Sequence, residues 1–91
     1  MLSKADEMFK ELGYNHYIDY EELKEDGIYE SFSKSDRQWR KDGYMEITFD
    51  NGDIFILFKE KDRADQLPIY ITAKELQVIN EKVKELGWLD E

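Results

Sequence analysis

Between Tyr44 and Phe58 apolar and polar residues alternate with a period of two before giving way to an apolar run, and toward both ends of the chain the spacing becomes helical. Tyr44-Met45-Glu46-Ile47-Thr48-Phe49 alternates, Asn51-Gly52 is the favoured pair for a two-residue type I′ turn, and Ile54 to Phe58 follows. The pattern predicts a β-hairpin. Counting outward from the turn places Asp50 opposite Asp53, Phe49 opposite Ile54, Thr48 opposite Phe55, Ile47 opposite Ile56, Glu46 opposite Leu57 and Met45 opposite Phe58. One face is then apolar throughout (Met45, Ile47, Phe49, Ile54, Ile56, Phe58) and belongs to the core, while Glu46, Thr48, Phe55 and Leu57 make a mixed face.

A strand with one wet face alternates apolar and polar residues, yet 54–58 is apolar at every position, so cover is expected on both sides. That cover is either intramolecular (the second helix, the aromatic-rich 14–23 segment or Trp39), a second copy of the chain, or a different protein. Ile28, Tyr29 and Phe32 predict a third strand at 28–33 beside the hairpin, and Ile69 to Ile71, after Pro68, a short edge strand. Residues 15–26 read two ways: an irregular segment anchored by Tyr17, Ile18, Tyr20 and Leu23, or a short helical turn starting at Asp19.

The spacing predicts a helix over 3–12, capped by Ser3, with Ala5, Met8, Phe9 and Leu12 near one face and Gly13 as its stop. So short a helix must dock that face on something. Thr72-Ala73-Lys74-Glu75 is a capping box, with Ile71 and Leu76 placed for a hydrophobic staple. Leu76, Ile79, Val83 and Leu86 form a helical stripe, and Gly87 ends a helix over 73–86. Lys10-Glu11-Leu12-Gly13-Tyr14 and Lys84-Glu85-Leu86-Gly87-Trp88 share one stop signal, a left-handed glycine with an aromatic folded back on the last turn, as in a Schellman motif. The expected fold is α+β: a helix, an antiparallel meander of three to four strands, and a helix packed on the sheet.

Residues 1–91 fit a single small acidic domain, 41% apolar and 38% charged, without room for a large interdomain cleft. With no cysteine there is no disulfide scaffold, thiolate zinc site, iron–sulfur cluster or cysteine nucleophile. The longest apolar run, Ile54 to Phe58, is far short of a membrane span, and the charged first dozen residues do not read as a signal peptide, so a cytoplasmic location is expected. The net charge of −9 is uneven: residues 1–33 carry three lysines against nine carboxylates, whereas Lys34, Arg37, Arg40 and Lys41 face only Asp36 within 34–41. The overall sign disfavours direct nucleic-acid binding.

Candidate chemistry is sparse. His16, the only histidine, has no cysteine or serine motif to activate and is expected at the surface. Asp50-Asn51-Gly52-Asp53 lacks the calcium-loop spacing and is explained by the hairpin turn, and Asp19, Glu21, Glu22, Glu25 and Asp26 read as solvated carboxylates. No phosphate loop, dinucleotide fingerprint, zinc motif or nucleophile elbow occurs, so no enzyme activity, catalytic residue, cofactor or metal is expected. Arg37-Gln38-Trp39-Arg40-Lys41 is the one basic-aromatic cluster: a connection whose tryptophan closes the core, a protein contact, or a nucleic-acid contact.

Ser3 to Tyr14 and Ile71 to Trp88 together resemble the termini of small phage and prophage proteins of Gram-positive bacteria. The resemblance implies an accessory protein made in the bacterial cytoplasm, with no catalytic residues to carry over. The expected function is a non-enzymatic protein–protein interaction module, with Phe55, Leu57, Trp39, Tyr14, Tyr17 and Tyr20 as partner-binding residues. The motivation is the doubly apolar strand and thirteen aromatics, six of them tyrosine. The alternative is an acidic nucleic-acid mimic that inhibits a host or defence protein through the carboxylates of 1–33.

Overall fold

The computed structural model describes residues 3–36, 43–60 and 71–89. The elements run α1 (Lys4–Glu11), β1 (Asn15–Ile18), α2 (Tyr20–Lys24), β2 (Tyr29–Asp36), β3 (Gly43–Asp50), β4 (Asp53–Glu60) and α3 (Ala73–Glu85). The four strands form one antiparallel sheet in the order β1-β2-β3-β4. The fold is α+β, as the periodicities predict. The hairpin register is the one counted from the sequence, from Asp50 opposite Asp53 to Met45 opposite Phe58. Asn51 and Gly52 both have positive φ, 45° and 97°, as a type I′ turn demands. Asn51 also ties the turn to the start of β2, since its Oδ1 accepts from the Ile28 N–H at 2.8 Å and its N–H donates to the Ile28 carbonyl at 3.0 Å.

Both long helices lie on the apolar hairpin face. Phe9, Tyr14, Phe32, Met45, Ile47, Phe49, Val78, Ile79 and Val83 form the core, with Ile56, Phe58 and Trp88 packed against it. Both helix ends close as full Schellman motifs. Tyr14 N–H reaches the Phe9 carbonyl and Gly13 N–H that of Lys10, while Trp88 N–H reaches Val83 and Gly87 N–H reaches Lys84. The helices run antiparallel, and the N-terminus of α1 is capped from α3, whose Glu85 Oε1 accepts from Ala5 N–H at 2.9 Å.

Several expectations are corrected. The fourth strand is β1, on the far side of β2; Ile69 and Tyr70 lie outside the described residues, and Ile71 is not in a strand. Residues 15–26 combine β1 with the helical turn that Asp19 starts, its side chain capping Glu21 and Glu22. The buried stripe of α3 is Glu75, Val78, Ile79, Lys82 and Val83, and Leu76 is half exposed. The sheet packs against the residues one turn around from Leu76, because two charged side chains of that stripe find partners on β2. The strand 54–58 is not sandwiched. Among the described residues β4 is the sheet's edge, the helices cover its inner face at Ile56 and Phe58 but leave Ile54 38% exposed, and Phe55 and Leu57 on the outer face are 48% and 42% exposed.

Candidate functional site

Two ionic clusters sit under α3, and one antiparallel geometry makes both. On β2, Glu30 and Lys34 lie four residues apart on the inner face, about 13 Å at strand rise. On α3, Glu75 and Lys82 lie seven apart on one stripe, about 10 Å at helix rise. With α3 antiparallel to β2, Lys82 meets Glu30 and Glu75 meets Lys34. A helix laid the other way would oppose like charges, so the clusters select one direction of packing.

Lys82 Nζ donates to Glu30 Oε1 and to Asp6 Oδ1 of α1, both at 2.9 Å. His16 Nε2 lies 2.8 Å from the same Glu30 oxygen, and its ring stacks on Phe32 with centroids 4.3 Å apart. His16 is therefore half-buried and partnered rather than a surface residue. Asp6, His16 and Glu30 offer ligand atoms within 4.8 Å of one another. The ammonium of Lys82 already occupies the cation position between the two carboxylates, so a metal would have to displace it.

At the other end, Glu75 serves two purposes. Its Oε1 accepts from Thr72 N–H at 2.8 Å while Thr72 Oγ1 accepts from Glu75 N–H, completing the capping box. Its Oε2 accepts from the Tyr14 hydroxyl and lies 3.3 Å from Lys34 Nζ. Tyr14 is thus a buried core residue, not presented for docking.

Burial alone would raise Glu30, but the bonds from His16 and Lys82 outweigh it and hold its pKa below the ordinary carboxylate value. For Glu75, burial is likewise outweighed, by the Thr72 amide, Tyr14 and Lys34. Burial would lower Lys82, yet Glu30 and Asp6 raise it. The depressed carboxylates contribute stability that is complete above their unfolded pKa, about 4.3, and lost as pH falls through their lower folded values. The Lys82 contribution is complete below about pH 10.4 and lost only as pH rises through its raised folded pKa. Urea unfolding across pH should therefore show an acid limb below about pH 4, and Glu30→Gln and Glu75→Gln should each flatten it. An unchanged limb in both variants would show that neither carboxylate is coupled to folding.

The outer face of the sheet is different in character. One cross-strand row runs Tyr17, Ser31, Thr48, Phe55 and the next Asn15, Ser33, Glu46, Leu57. Thr48 is buried, its hydroxyl 3.3 Å from that of Ser31 and 3.2 Å from Glu46 Oε1. These rows carry Tyr17 on β1 and Phe55 and Leu57 on β4, with Ser31, Ser33, Glu46 and Thr48 between them. Around the β1 end, Asp6, His16, Tyr17, Ile18, Asp19, Tyr20 and Glu21 line an open concavity of about 910 Å³. Tyr17 and Tyr20 are 58% and 64% exposed there, and Tyr17 makes an edge-on contact with Tyr29.

Of the partner-binding residues read from the sequence, Phe55, Leu57, Tyr17 and Tyr20 are exposed, Tyr14 belongs to the core, and Trp39 lies outside the described residues together with Arg37, Arg40 and Lys41. The carboxylates Glu21, Glu25 and Asp26 are exposed on α2 and its C-terminal turn, and Asp19 is engaged as a cap. The ionic pairs of Lys82 and Glu75 escaped the sequence reading. Their only trace is that Glu75 and Lys82 keep step with Val78, Ile79 and Val83 at helical spacing. No helix among the described residues is long and apolar enough to cross a membrane. No protein-family model, curated protein or solved structure matches this chain.

Proposed function

We propose that this chain is a non-enzymatic protein–protein interaction module, an accessory protein of a phage or prophage, that engages its partner with the outer face of the sheet. The observation that supports this is the half-exposed pair Phe55 and Leu57 on the face opposite both helices. Aromatic and aliphatic side chains presented from a rigid sheet make interface anchors at little entropic cost, because the strand already fixes their backbone. Tyr17 and Tyr20 extend the surface at the opposite edge, each with an apolar ring and a polar tip. Among the described residues His16, Glu30 and Lys82 bond to one another and Glu75 to Tyr14, which supports structural roles for them.

The test is affinity capture from bacterial lysate with the native chain and with Phe55→Ser/Leu57→Thr, each checked for folding by thermal denaturation. Captured protein should be retained in high salt and fall about tenfold or more in the variant, the effect of losing two anchors. Capture by a folded variant equal to the native chain's would remove the outer face from consideration. Capture lost in salt and on neutralising Glu21, Glu25 and Asp26 would point instead to docking led by the acidic segment.

A further inference from the structure

The edge of β4 carries information of its own. In a two-residue hairpin the closing pair, here Asp50 and Asp53, exchanges both hydrogen bonds, and bonded pairs recur at every second residue. Phe55 and Leu57 therefore direct their N–H and C=O groups at β3, and Ile54 and Ile56 direct theirs outward. Among the described residues no strand lies beyond β4, and no described backbone hydrogen bond outside the ladder involves Ile54 or Ile56. Edge strands are commonly protected by a lysine, a proline or a bulge, yet 54–58 reads Ile-Phe-Ile-Leu-Phe and pairs with β3 without interruption.

We propose that two copies of the chain pair antiparallel through β4, centred on Ile56, and so join their sheets into one eight-stranded sheet. The inference rests on the interaction reading above and deepens it by naming the partner as a second copy. The sequence of β4 is self-complementary in this register alone. With Ile56 opposite Ile56 of the second copy, Phe55 faces Leu57, Ile54 faces Phe58, and Asp53 faces Lys59, apolar against apolar and acid against base. Moving the centre to Phe55 sets Asp53 against Leu57. Moving it to Leu57 sets Phe55 against Lys59 and Ile54 against Glu60. A centre between residues would bring the inner face of one sheet level with the outer face of the other, breaking the continuity of the core side. Centring on Ile56 also brings its outward N–H and C=O to the same groups of the second copy, forming a bonded pair on the two-fold axis. The outer-face Phe55 and Leu57 of each copy then lie side by side across the junction, so each shields one flank of the other from water.

Sedimentation equilibrium at micromolar concentration should find a dimer for the native chain. Asp53→Lys and Lys59→Asp each place like charges opposite one another twice by symmetry, and each should weaken the dimer roughly tenfold. The double variant Asp53→Lys/Lys59→Asp restores opposite charges and should return to within about twofold of the native chain. Both substitutions leave the anchors Phe55 and Leu57 in place, and thermal melts check that each variant folds. Because the chain has no cysteine, Ile56→Cys offers a second readout: the bonded pair spans about 5.5 Å between Cα atoms, within disulfide range. Ile56→Cys should oxidise to a covalent dimer faster than Leu57→Cys. A chain that is monomeric throughout this range, or a double variant no better than the singles, or equal oxidation of the two cysteine variants, overturns the proposal. A monomer that still captures a partner through Phe55 and Leu57 would overturn only the self-pairing and leave the interaction module standing.

Discussion

Lys82→Met should cost about 3–5 kcal/mol of folding stability, the usual effect of removing one partner of a buried ion pair. For 91 residues at roughly 0.05–0.15 kcal/mol each, that is a large share of the total. The side chain is nearly inaccessible and donates to two carboxylates on two different elements, Asp6 of α1 and Glu30 of β2. Methionine keeps much of the packing volume but leaves both carboxylates close together without their cation. Urea denaturation at neutral pH measures the loss. The sign of the pH dependence separates this cause from a packing defect. Without Lys82 the Glu30 pKa rises, so acid should relieve the variant and narrow its deficit relative to the native chain. A packing defect would persist at every pH. Lys82→Met/Glu30→Met, which removes the pair, should be more stable than Lys82→Met alone. If it were less stable, the charge explanation would be wrong.

Phe9→Ala should cost a similar amount, about 3–5 kcal/mol, through the lost transfer energy and the cavity left behind. Phe9 is fully buried, its ring stacked on Phe32 at 3.9 Å between centroids and edge-on to Tyr14 and Phe49. It is also the main side chain that docks α1. An eight-residue helix is not stable alone, so the loss should appear as local opening as well as global destabilisation. Amide exchange should show α1 protection falling further than that of β3. Phe9→Leu, which preserves most of the apolar volume, should cost under about 1.5 kcal/mol. Equal effects of the two substitutions would mean that the ring stack, rather than volume, holds the helix.

The legible parts of this fold are those whose signals are local. Ser3, Thr72 and Glu75 cap the helices as their spacing predicts, and Gly13 and Gly87 end them. Asn51-Gly52 fixed the register of β3 against β4, because a two-residue turn admits only one pairing. The α3 stripe differs from its expected one for a physical reason: Leu76 keeps helical step with Ile79 and Val83, whereas Val78 keeps it with the charged Glu75 and Lys82, and hydrophobicity alone favours the leucine. What turned the helix toward Val78 was burial of Glu75 and Lys82, and a charged residue reads as exposed until its partner is known. β1 was missed because Asn15-His16-Tyr17-Ile18 is too short and polar to announce a strand, and its ladder is completed by β2.

For the candidate site the division is similar. Phe55 and Leu57 stood out because an uninterrupted apolar strand departs from alternation, but whether cover came from within the chain depended on which strand lay at the edge. Strand order is set by long-range pairing, and placing β1 beside β2 left β4 at the rim of the described strands. Tyr14 and Tyr17 look alike in sequence, and only the packing sent one to Glu75 in the core and the other to the surface. The sequence by itself determined the elements, their caps, the hairpin register and the absence of thiol chemistry, because each follows from neighbours along the chain. The tertiary structure alone decided the helix direction through the Glu30–Lys82 and Lys34–Glu75 pairs, and which apolar residues face water. Both depend on groups dozens of residues apart meeting in space, where Coulomb attraction and burial act between partners that no local pattern records.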